Sequence, residues 1–474
     1  MCNVISCWDQ GLTGCTRRIA ETDDTPLRVL AGPGTGKTFA LMRRVMRLLE
    51  HDCNPRRIFV CTFTRTAARD LESELSRLRA PRVRRVRTGT IHAFCFALLS
   101  HSAVLPLTGR VPRPLLKFEE RFLLEDFKGV NGEGIRALRK RLSAFAAAWA
   151  RLQSETPGWP QDRRDQVFLP LLEHWLRFHQ AMLIGELVPE TLRFLRDNPA
   201  SPHRPSFEHV LVDEYQDLNR AEQVLLDELA ATGSLTVIGD ENQSIYSFKY
   251  AHPAGIAEFD QNHPDTHDES LDECIRCPRI VVSLANALIS QNPSRVLRAL
   301  RSCPGNPNGE VLIVQWRSLQ NEAEGIASFI QQRIEAGTVE EGRILVLAPR
   351  RQVGYAIRDA LNLIGILSHS FFFEEALDGN QTKAAECLAQ AAFTLLTLLA
   401  NPDDRVALRC WCGFGSPSLN RVAWANVRRH AETTGDSPRA ILERPRLGPS
   451  HYLIPRPLLL DSAFYRGRLK ISKD

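Results

Sequence analysis

A glycine-rich segment, AGPGTGKT at 31–38, constrains the fold of this chain more than any other feature. The apolar run PLRVLA (26–31) leads into it, and KTFALMRRVMRLLE (37–50) follows with apolar residues at helical spacing. Its glycines allow backbone N–H groups to close around an anion at the start of the helix, where the helix dipole adds positive charge. A strand, a glycine loop and a helix in this order predict an α/β fold with a parallel sheet and a phosphate-binding loop.

Within this loop we predict a nucleotide site. Lys37 is placed to reach the outer phosphates, and Thr38 can hold Mg²⁺ through its hydroxyl. A bare glycine turn is the alternative, but it requires neither the lysine nor the flanking strand and helix. Ala31 stands where the usual pattern has its first glycine. The predicted nucleotide-binding residues are Gly32, Gly34, Thr35, Gly36, Lys37 and Thr38.

A pair of acids follows the apolar run in VLVDEYQD (210–217). Since ligands bind at the carboxyl ends of the strands in open α/β sheets, we expect Asp213 and Glu214 beside the phosphate loop. Asp213 would hold Mg²⁺, and Glu214 would polarise the attacking water. An acidic helix N-cap is the alternative, but it predicts one acid before a helix and not two acids after a strand.

A third segment, GDENQSIYSFKY (239–250), combines two kinds of side chain. Its acids and Gln243 suit a metal-bound phosphate. Tyr246 and Phe248, beside Lys249, suit the bases and backbone of a single-stranded nucleic acid, because aromatic rings stack on any base. Taken alone, the two aromatic residues would be interpreted as core residues rather than as a nucleic-acid site.

The order of strand-like and helix-like segments divides the chain into blocks. Strands and helices alternate up to about residue 103, and strand-like runs return between 199 and 276. The segment 104–198 contains only amphipathic helical patterns, which indicates a helical insertion into a first α/β domain. A second alternating block covers 277–372, and 373–474 is mainly helical with a tail that has no period.

Within the second block, the runs EVLIVQW (310–316) and RILVLAP (343–349) predict strands. Helical spacing predicts helices over 320–336 and 352–364, and QTKAAECLAQAAFTLLTLLA predicts another over 381–400.

Composition limits the class of protein. The net charge of +5 is mild, but six arginines without an acid lie within LSRLRAPRVRRVRTGT (75–90), as in a phosphate-facing stripe or a solvated face. No apolar run of 18 residues and no signal-peptide pattern occurs, so we expect a cytoplasmic protein with reduced thiols and no membrane contact. Cys274-x-x-Cys277 is compatible with an ordinary thiol pair or with half of a metal site.

These motifs together resemble the UvrD/Rep family of superfamily 1 DNA helicases. The resemblance runs from about Leu12 to about residue 410. It is carried further by CTFTRTAARDLESEL (61–75), TGTIHAF (88–94), VDEYQD (212–217), GDENQSIYSFK (239–249), LDECIRCPRIVVSLANALI (271–289) and ILVLAPRR (344–351).

The resemblance implies two RecA-like P-loop lobes, each with a helical insertion. Such lobes clamp ATP and Mg²⁺ between them and move along single-stranded DNA, usually 3′ to 5′. The first lobe would comprise 1–103 and 199–276, interrupted by the insertion at 104–198. A partial second lobe would cover 277–372, followed by a partial second insertion and tail at 373–474.

The resemblance also assigns roles to single residues. Gln243 would contact the γ-phosphate region, and Arg276 would reach the γ-phosphate from the second lobe and stabilise charge in the transition state. Ordinary packing is the alternative for Phe63 and His92, helix capping for Arg350, and a plain surface position for Arg276. The implied DNA-binding residues are Phe63, His92, Tyr246, Phe248, Lys249 and Arg350.

Several positions depart from the family pattern. Thr16 stands where a glutamine that reads adenine is expected, and Ile275 where a tyrosine stacks on adenine, so base recognition should be weaker. FTRTAA replaces FTNKAA, which puts Arg65 and Thr66 near the DNA path. The motifs that close the second lobe, including a second γ-phosphate arginine, are not found in the chain.

We therefore expect an ATP-dependent DNA helicase or translocase with a C-terminally incomplete motor, acting in DNA repair or in a Gabija-type phage-defence system. Its substrates would be single-stranded DNA or a 3′-tailed duplex. The alternative is a truncated or split ATP- and ssDNA-binding subunit that needs a partner chain. A small-molecule kinase with a phosphate loop would have no use for aromatic residues beside Gln243.

Overall fold

One parallel sheet organises the first half of the chain in the computed structural model, which describes residues 8–77, 82–292, 299–370 and 377–443. Its strands are β1 (Leu27–Ala31), β2 (Ile58–Cys61), β3 (Arg87–Gly89), β4 (His209–Val212), β5 (Ser234–Gly239) and β6 (His267–Leu271). They pair in parallel in the order β3-β2-β4-β5-β1-β6. The predicted α/β class with a parallel sheet is confirmed.

Helices account for most of the remaining regular structure. They begin and end as follows: α1 (Gly14–Glu21), α2 (Lys37–Glu50), α3 (Arg65–Arg77), α4 (Ile91–Leu99), α5 (Leu105–Thr108), α6 (Lys117–Asp126), α7 (Ile135–Ala150), α8 (Arg163–His179), α9 (Leu187–Asp197), α10 (Arg220–Ala230), α11 (Ala254–Ala257), α12 (Phe259–Asn262), α13 (Arg279–Ile289), α14 (Leu319–Glu335), α15 (Arg351–Leu363), α16 (Leu388–Ala400), α17 (Arg405–Trp411), α18 (Arg421–Thr434) and α19 (Pro438–Glu443). None of the helices in the described residues is long and apolar enough to cross a lipid bilayer.

Two hydrophobic cores cover the two faces of the sheet. On β2, Ile58 and Val60 lie in one core while Phe59 and Cys61 lie in the other. Successive side chains of a strand point to opposite faces, so a strand covered on both sides must be apolar throughout. That is why this strand, β4 and β5 were recognisable as continuous apolar runs.

The two outer strands were not predicted from the sequence. β6 reads HDESL and carries polar side chains because it lies at the edge of the sheet, where it pairs only with β1. β3 has three residues, too few for a periodic signal. Both owe their strand structure to the neighbour beside them and not to local propensity.

The segment 104–198, all of which the structure describes, contains α5 to α9 and no strand, as its helical patterns predicted. The helices after residue 387 pack directly on it. Val406 and Cys410 of α17 lie in one core with Phe122 and Trp175 of the insertion. Phe178 in turn joins the core of α17, α18 and α19.

A buried ion pair lies in the seam between these two helical regions. Arg409 is fully buried, and its guanidinium donates to both carboxylate oxygens of Asp126, with Nη2 to Oδ1 at 2.6 Å. The indole N–H of Trp175 donates to the same carboxylate at 2.9 Å. Because a buried charge is tolerated only when it is paired and hydrogen-bonded, this contact fixes α17 on the insertion.

A histidine completes the seam. His179 stacks on Trp175 with ring centroids 3.7 Å apart, and its Nε2 accepts the indole N–H of Trp424 at 3.0 Å. Its Nδ1 lies 2.8 Å from the carbonyl oxygen of Trp175. An indole N–H only donates and a carbonyl only accepts, so the imidazole must be neutral with its proton on Nδ1.

The prediction of strands at 310–316 and 343–349 is wrong. In the described residues neither run pairs with another strand, and the only strand of the second block is the two-residue β8 (Arg301–Ser302), which pairs with β7 (Glu273–Cys274) just before the block. A strand needs a neighbour to satisfy its backbone groups, and apolar content alone does not supply one. Ile313 and Leu347 are 96% and 84% exposed as a result.

The helices of the second block match their predicted positions, since α14 and α15 pack together around Ala327, Ile330 and Ile357. The helix predicted over 381–400 begins at Leu388. The carbonyl of Gln381 accepts the N–H of Gly415, so it is engaged outside any helical turn. The preceding segment 371–376 and the tail 444–474 lie outside the described residues.

We predict that Asp126→Asn lowers the free energy of unfolding by about 3–5 kcal/mol, because it keeps the shape of the side chain but leaves the buried Arg409 charge unpaired. Urea denaturation measures the change. The control is Glu21→Ala, which removes the exposed Arg17–Glu21 pair and should cost less than about 1 kcal/mol. Equal losses of unfolding free energy for the two substitutions would contradict a stabilising role of the buried Asp126–Arg409 pair.

We further predict a pH dependence from His179. Burial lowers the pKa of this imidazole well below its ordinary value of 6.5, with Arg428, Arg409 and Arg405 acting in the same direction. Below pH 6.5 the unfolded chain gains a proton that the folded protein does not take up. This histidine's contribution to stability is therefore complete above that pH and is lost on acidification, by up to about 1.4 kcal/mol per pH unit.

His179→Gln should remove this component, since an amide keeps one donor and one acceptor but does not titrate between pH 7 and 5. The measurement is the difference in unfolding free energy between the variant and the unaltered chain across that range. A difference that stays constant with pH would contradict the prediction.

Candidate functional site

The predicted phosphate loop lies between β1 and α2. Gly34 and Gly36 have φ values of 70° and 90°, the left-handed region that favours glycine, and Gly36 is the N-cap of α2. These conformations leave the loop backbone curled over the N-terminus of a 14-residue helix. The local structure is that of an anion-binding helix start.

The tertiary fold brings the predicted acids to this loop. Lys37 Nζ lies 2.8 Å from Glu214 Oε2, and the Lys37 side chain is only 9% exposed. The Thr38 hydroxyl donates to Asp213 Oδ2 at 3.1 Å. The four residues that the sequence singled out for phosphate, metal and water are therefore in mutual contact, although more than 170 positions separate the two pairs.

Burial changes the acidity of Asp213. Desolvation, together with the negative charge of Glu214, raises the pKa of this carboxyl to about 6, while Lys37 and the Thr38 hydroxyl act in the opposite direction. A carboxylate and a hydroxyl are oxygen ligands of the kind Mg²⁺ prefers, and a divalent cation offsets the repulsion between neighbouring acids. The residues present fit a magnesium ion.

Gln243 lies at the same edge of the sheet. Its amide nitrogen donates to Asp240 Oδ2 at 2.9 Å, which orients the side chain within the loop that follows β5. A cavity of about 200 Å³ extends from the phosphate loop to this residue. Its lining includes Gly32, Pro33, Gln243, Asn286 and Leu300.

Sequence reasoning missed Gln216, which joins the two loops. Its amide nitrogen donates to Glu214 Oε2 at 2.9 Å, and its amide oxygen accepts the backbone N–H of Asp240 at 3.0 Å. It is almost fully buried, and a side chain at Gly239 would place its Cβ 2.2 Å from the Gln216 oxygen. The sequence signal that could have identified Gln216 is its position in VDEYQD (212–217), two residues after the predicted site residue Glu214.

The predicted nucleic-acid residues form an aromatic cluster beyond Gln243. Phe63 and Tyr246 have ring centroids 4.9 Å apart, and Tyr246 and Phe248 have theirs 5.7 Å apart. The Lys249 ammonium lies 4.9 Å from the Phe63 centroid and 5.3 Å from that of Tyr246. Phe248 is 68% exposed. Phe63 is half-buried and also packs on the core that contains Phe59 and Cys61. It therefore contacts both the hydrophobic core and the aromatic cluster.

The other predicted DNA residues stand apart from this cluster. His92, on the first turn of α4, places Nδ1 3.1 Å from Glu222 Oε1 and is partly exposed. Arg350 is the exposed N-cap residue of α15, and its side chain makes no capping hydrogen bond, so the structure gives no support to the capping alternative.

The arginine stripe does not form one free surface. Arg77 pairs with Glu74 and Arg82 with Asp52, while the Arg87 guanidinium lies 4.5 Å from the Phe94 ring centroid. Arg84 and Arg85 are exposed, and Arg79 lies outside the described residues.

Arg276 lies beside the phosphate loop. The N–H of Ile275 donates to the carbonyl of Gly34 at 2.9 Å, and a Cβ added to Gly34 would come within 2.7 Å of the Arg276 Cβ. Ile275 is 62% exposed. Thr16 is occupied locally, because its hydroxyl donates to the carbonyl of Thr13 at 2.7 Å in the first turn of α1.

Comparison with known proteins agrees with this geometry. The chain is 27% identical over 461 residues to the ATP-dependent DNA helicase UvrD1 of Mycobacterium leprae, which covers 90% of this chain and 57% of that relative. It is 26% identical to the putative ATP-dependent DNA helicase YjcD of Bacillus subtilis, over 73% of this chain and 47% of the relative. It is 27% identical to the ATP-dependent DNA helicase PcrA of Staphylococcus aureus, over 61% and 41%.

The chain thus spans about half the length of the curated relatives that it matches. The family model of the UvrD/REP helicase N-terminal domain matches residues 12–264, which contain the phosphate loop, the acid pair, Gln243 and the aromatic cluster. The chain belongs to the UvrD/REP helicase family.

Proposed function

We propose that this chain binds Mg-ATP and single-stranded DNA, and couples ATP hydrolysis to movement along the DNA in the 3′ to 5′ direction, in DNA repair or phage defence. One observation carries the proposal. A continuous path of contacts runs from Lys37 through Glu214 and Gln216 to the loop that holds Gln243 and the aromatic cluster. Because its proposed substrate is chromosomal or phage DNA, we assign the protein to the cytoplasm.

In the proposed nucleotide site, Lys37 and the loop backbone bind the phosphates. Mg²⁺, held by Asp213 and Thr38, would supply positive charge to the phosphate oxygens. Glu214 orients and deprotonates the attacking water, and Gln243 contacts the γ-phosphate region. Since Lys37 is paired with Glu214, phosphates that attract the lysine would free this carboxylate to act as a base.

In the proposed DNA site, aromatic rings stack on bases and Lys249 binds the backbone. Stacking tolerates any sequence, as a protein that moves along DNA requires. The Tyr250 hydroxyl donates to the carbonyl of Ser143 at 3.0 Å, so the loop that carries the cluster also contacts the helical insertion. A displacement of Gln243 by bound nucleotide would reach both the cluster and the insertion.

We retain the predicted division of the chain as part of the proposal: a first lobe at 1–103 and 199–276, an insertion at 104–198, a partial second lobe at 277–372 and a second helical part at 373–474. Arg276, at the boundary between the two lobes, acts on the γ-phosphate, and Arg350 acts on DNA from the second lobe. The adjacent position of Arg276 and Gly34 supports the first of these roles.

A second candidate function is an ATP- and ssDNA-binding subunit that needs a partner chain to become a motor. The observation that favours it is the state of 310–316 and 344–348, which find no strand partner in the described residues and leave apolar side chains exposed. A lobe without a paired sheet cannot transmit closure on the nucleotide as a rigid body.

The nucleotide site is tested by Lys37→Ala. We expect loss of measurable Mg-ATP binding in isothermal titration calorimetry. The substitution removes the buried ammonium that contacts Glu214 and that we assign to the phosphates. Lys383→Ala, which removes an exposed lysine that pairs with Glu386, is the matched control and should bind as the unaltered chain does. Unchanged affinity of the Lys37 variant would overturn the assignment.

The DNA site is tested by two substitutions that remove different forces. Phe248→Ala should weaken oligo-dT binding by about 1–3 kcal/mol without changing its salt dependence, since stacking is not ionic. Lys249→Ala should lower the slope of log affinity against log salt by about 1, since one phosphate contact is lost. Fluorescence anisotropy over a salt series measures both.

The control for the aromatic substitution is Phe329→Ala, a partly exposed phenylalanine on α14 that lies against Arg333 and outside the cluster. It should leave DNA binding unchanged. Equal losses for Phe248→Ala and Phe329→Ala would contradict the aromatic cluster as the binding surface.

The motor itself is tested by strand displacement on a duplex with a 3′ tail. We expect the chain alone to bind the tail but to unwind little, and its ATPase to be feeble, because the runs 310–316 and 343–349 of the second block form no paired strands in the described residues. Arg276→Ala should abolish the remaining hydrolysis, since an arginine of this kind can contribute ~10³-fold or more to the rate. A 5′-tailed duplex is the polarity control. Robust unwinding of the 3′-tailed duplex by this chain alone would contradict the second candidate function, a subunit that needs a partner chain to become a motor.

A further inference from the structure

Two cysteines bracket Arg276 in the turn Cys274–Cys277, which we name the thiol turn. Cys274 ends β7 and is fully buried, while Cys277 is half-buried and lies two residues before the start of α13 at Arg279. The N–H of Cys277 donates to the Cys274 sulfur at 3.4 Å. Burial raises the pKa of Cys277, and a hydrogen bond with the Cys274 thiol acts in the same direction.

The side chain of Asn306 and the backbone of Cys303 hold this turn in place. The amide nitrogen of Asn306 donates to the carbonyls of Cys274 and Cys277, at 2.7 and 2.8 Å. The N–H of Cys303 also donates to the Cys274 carbonyl, at 3.1 Å. The turn is thus clamped at both ends, which keeps the two sulfurs near each other without any need for a large chain movement.

The thiol turn touches the phosphate loop directly. In addition to the bond between the Ile275 N–H and the Gly34 carbonyl, a Cβ added to Gly34 would lie 3.0 Å from the Cys274 sulfur and 2.7 Å from the Arg276 Cβ. A covalent change at Cys274 therefore acts on atoms that contact the loop. It also alters the turn that carries Arg276, the arginine that we assign to the γ-phosphate.

The pair differs from the buried cysteines Cys61, Cys95 and Cys410 because one of its two thiols is partly exposed. Burial raises the pKa values of those three thiols and keeps them from solvent. Cys277 is reachable from solvent, and Arg276 opposes the rise in its pKa. A reachable thiol beside a second, buried thiol is the arrangement of an attacking and a resolving cysteine.

We propose that Cys274 and Cys277 form a reversible disulfide by exchange with a small disulfide such as oxidised glutathione, and that this bond weakens nucleotide binding at the phosphate loop. The second half of the statement rests on the proposed function. In the first step the Cys277 thiolate attacks one glutathione sulfur and expels a glutathione thiolate. In the second, the Cys274 thiolate attacks the Cys277 sulfur of the mixed disulfide and expels the other. Two protein thiols are oxidised and one glutathione disulfide is reduced to two thiols.

The effect on the nucleotide follows from the position of the bond. A disulfide closes a ring that contains Ile275 and Arg276, so this turn can no longer adjust to a phosphate. It also draws the Cys274 sulfur from its place against Gly34 towards Cys277. We expect about tenfold weaker binding of ATP, the loss that one charge-assisted contact to a phosphate accounts for.

Mass spectrometry tests the bond itself on the unaltered full-length chain. The protein is equilibrated with oxidised glutathione, its remaining thiols are blocked with N-ethylmaleimide, and it is digested with trypsin. Cleavage after Arg276 separates the two cysteines, so a disulfide joins the peptide 250–276 to the tripeptide 277–279. We expect the joined species after oxidation and its disappearance after dithiothreitol. Two blocked, separate peptides would overturn the proposal.

Binding of a fluorescent ATP analogue to the oxidised and reduced chains tests the consequence. Oxidation should lower affinity about tenfold in the unaltered chain and in Cys303→Ser, the matched control for a neighbouring cysteine outside the pair. It should have no effect in Cys277→Ser. A joined peptide with unchanged affinity would overturn the regulatory role. A reduced chain that binds no nucleotide would overturn the proposed function, while the joined peptides would still establish the disulfide.

Discussion

The parallel register of β4, β5 and β1 is the constraint on which the site depends. Val212 is level with Val237, and Leu30 is level with Gly239, so the three strands end at one edge of the sheet. Since these strands are buried on both faces and mostly apolar, the polar side chains of the site follow where each strand ends. Asp213, Asp240 and the phosphate loop are therefore neighbours, and the Lys37–Glu214 pair forms between them.

Gln216 makes this edge a single unit. A side-chain amide has a donor end and an acceptor end, and here each end binds a different loop. A shift of Glu214 therefore changes the position of Asp240, and with it the side chain of Gln243. This is a physical basis for the coupling of nucleotide and DNA that we propose, because the aromatic cluster begins three residues further on.

The helical regions depend on a different interaction. Their seam contains a charged pair and a neutral histidine that are all but inaccessible to solvent. Hydrophobic contacts would allow several packings of α17 on the insertion, but the Arg409 guanidinium finds its acceptors in one position only. The specificity of the seam is electrostatic, whereas its driving force is the burial of Phe122, Trp175 and Trp424.

The sequence by itself determined the elements whose signal is local. The loop at 31–38 predicted its strand and helix because glycine conformation, apolar run and helical spacing coincide there, and the motif set implied the family that the comparison confirms. The roles of Lys37, Thr38, Asp213 and Glu214 remain predictions. The sequence placed the two acids at the end of a parallel strand, and the structure shows them in contact with Lys37 and Thr38.

Tertiary structure alone decided what depends on a neighbour. β6 is a strand because β1 lies beside it, although its sequence is polar, and 310–316 is not a strand although its sequence is apolar. The Asp126–Arg409 pair joins residues 283 positions apart that carry no shared pattern. The physical reason is the same in each case: hydrogen-bond partners and buried counter-charges are supplied by distant chain segments, and a local pattern contains no information about which segment will supply them.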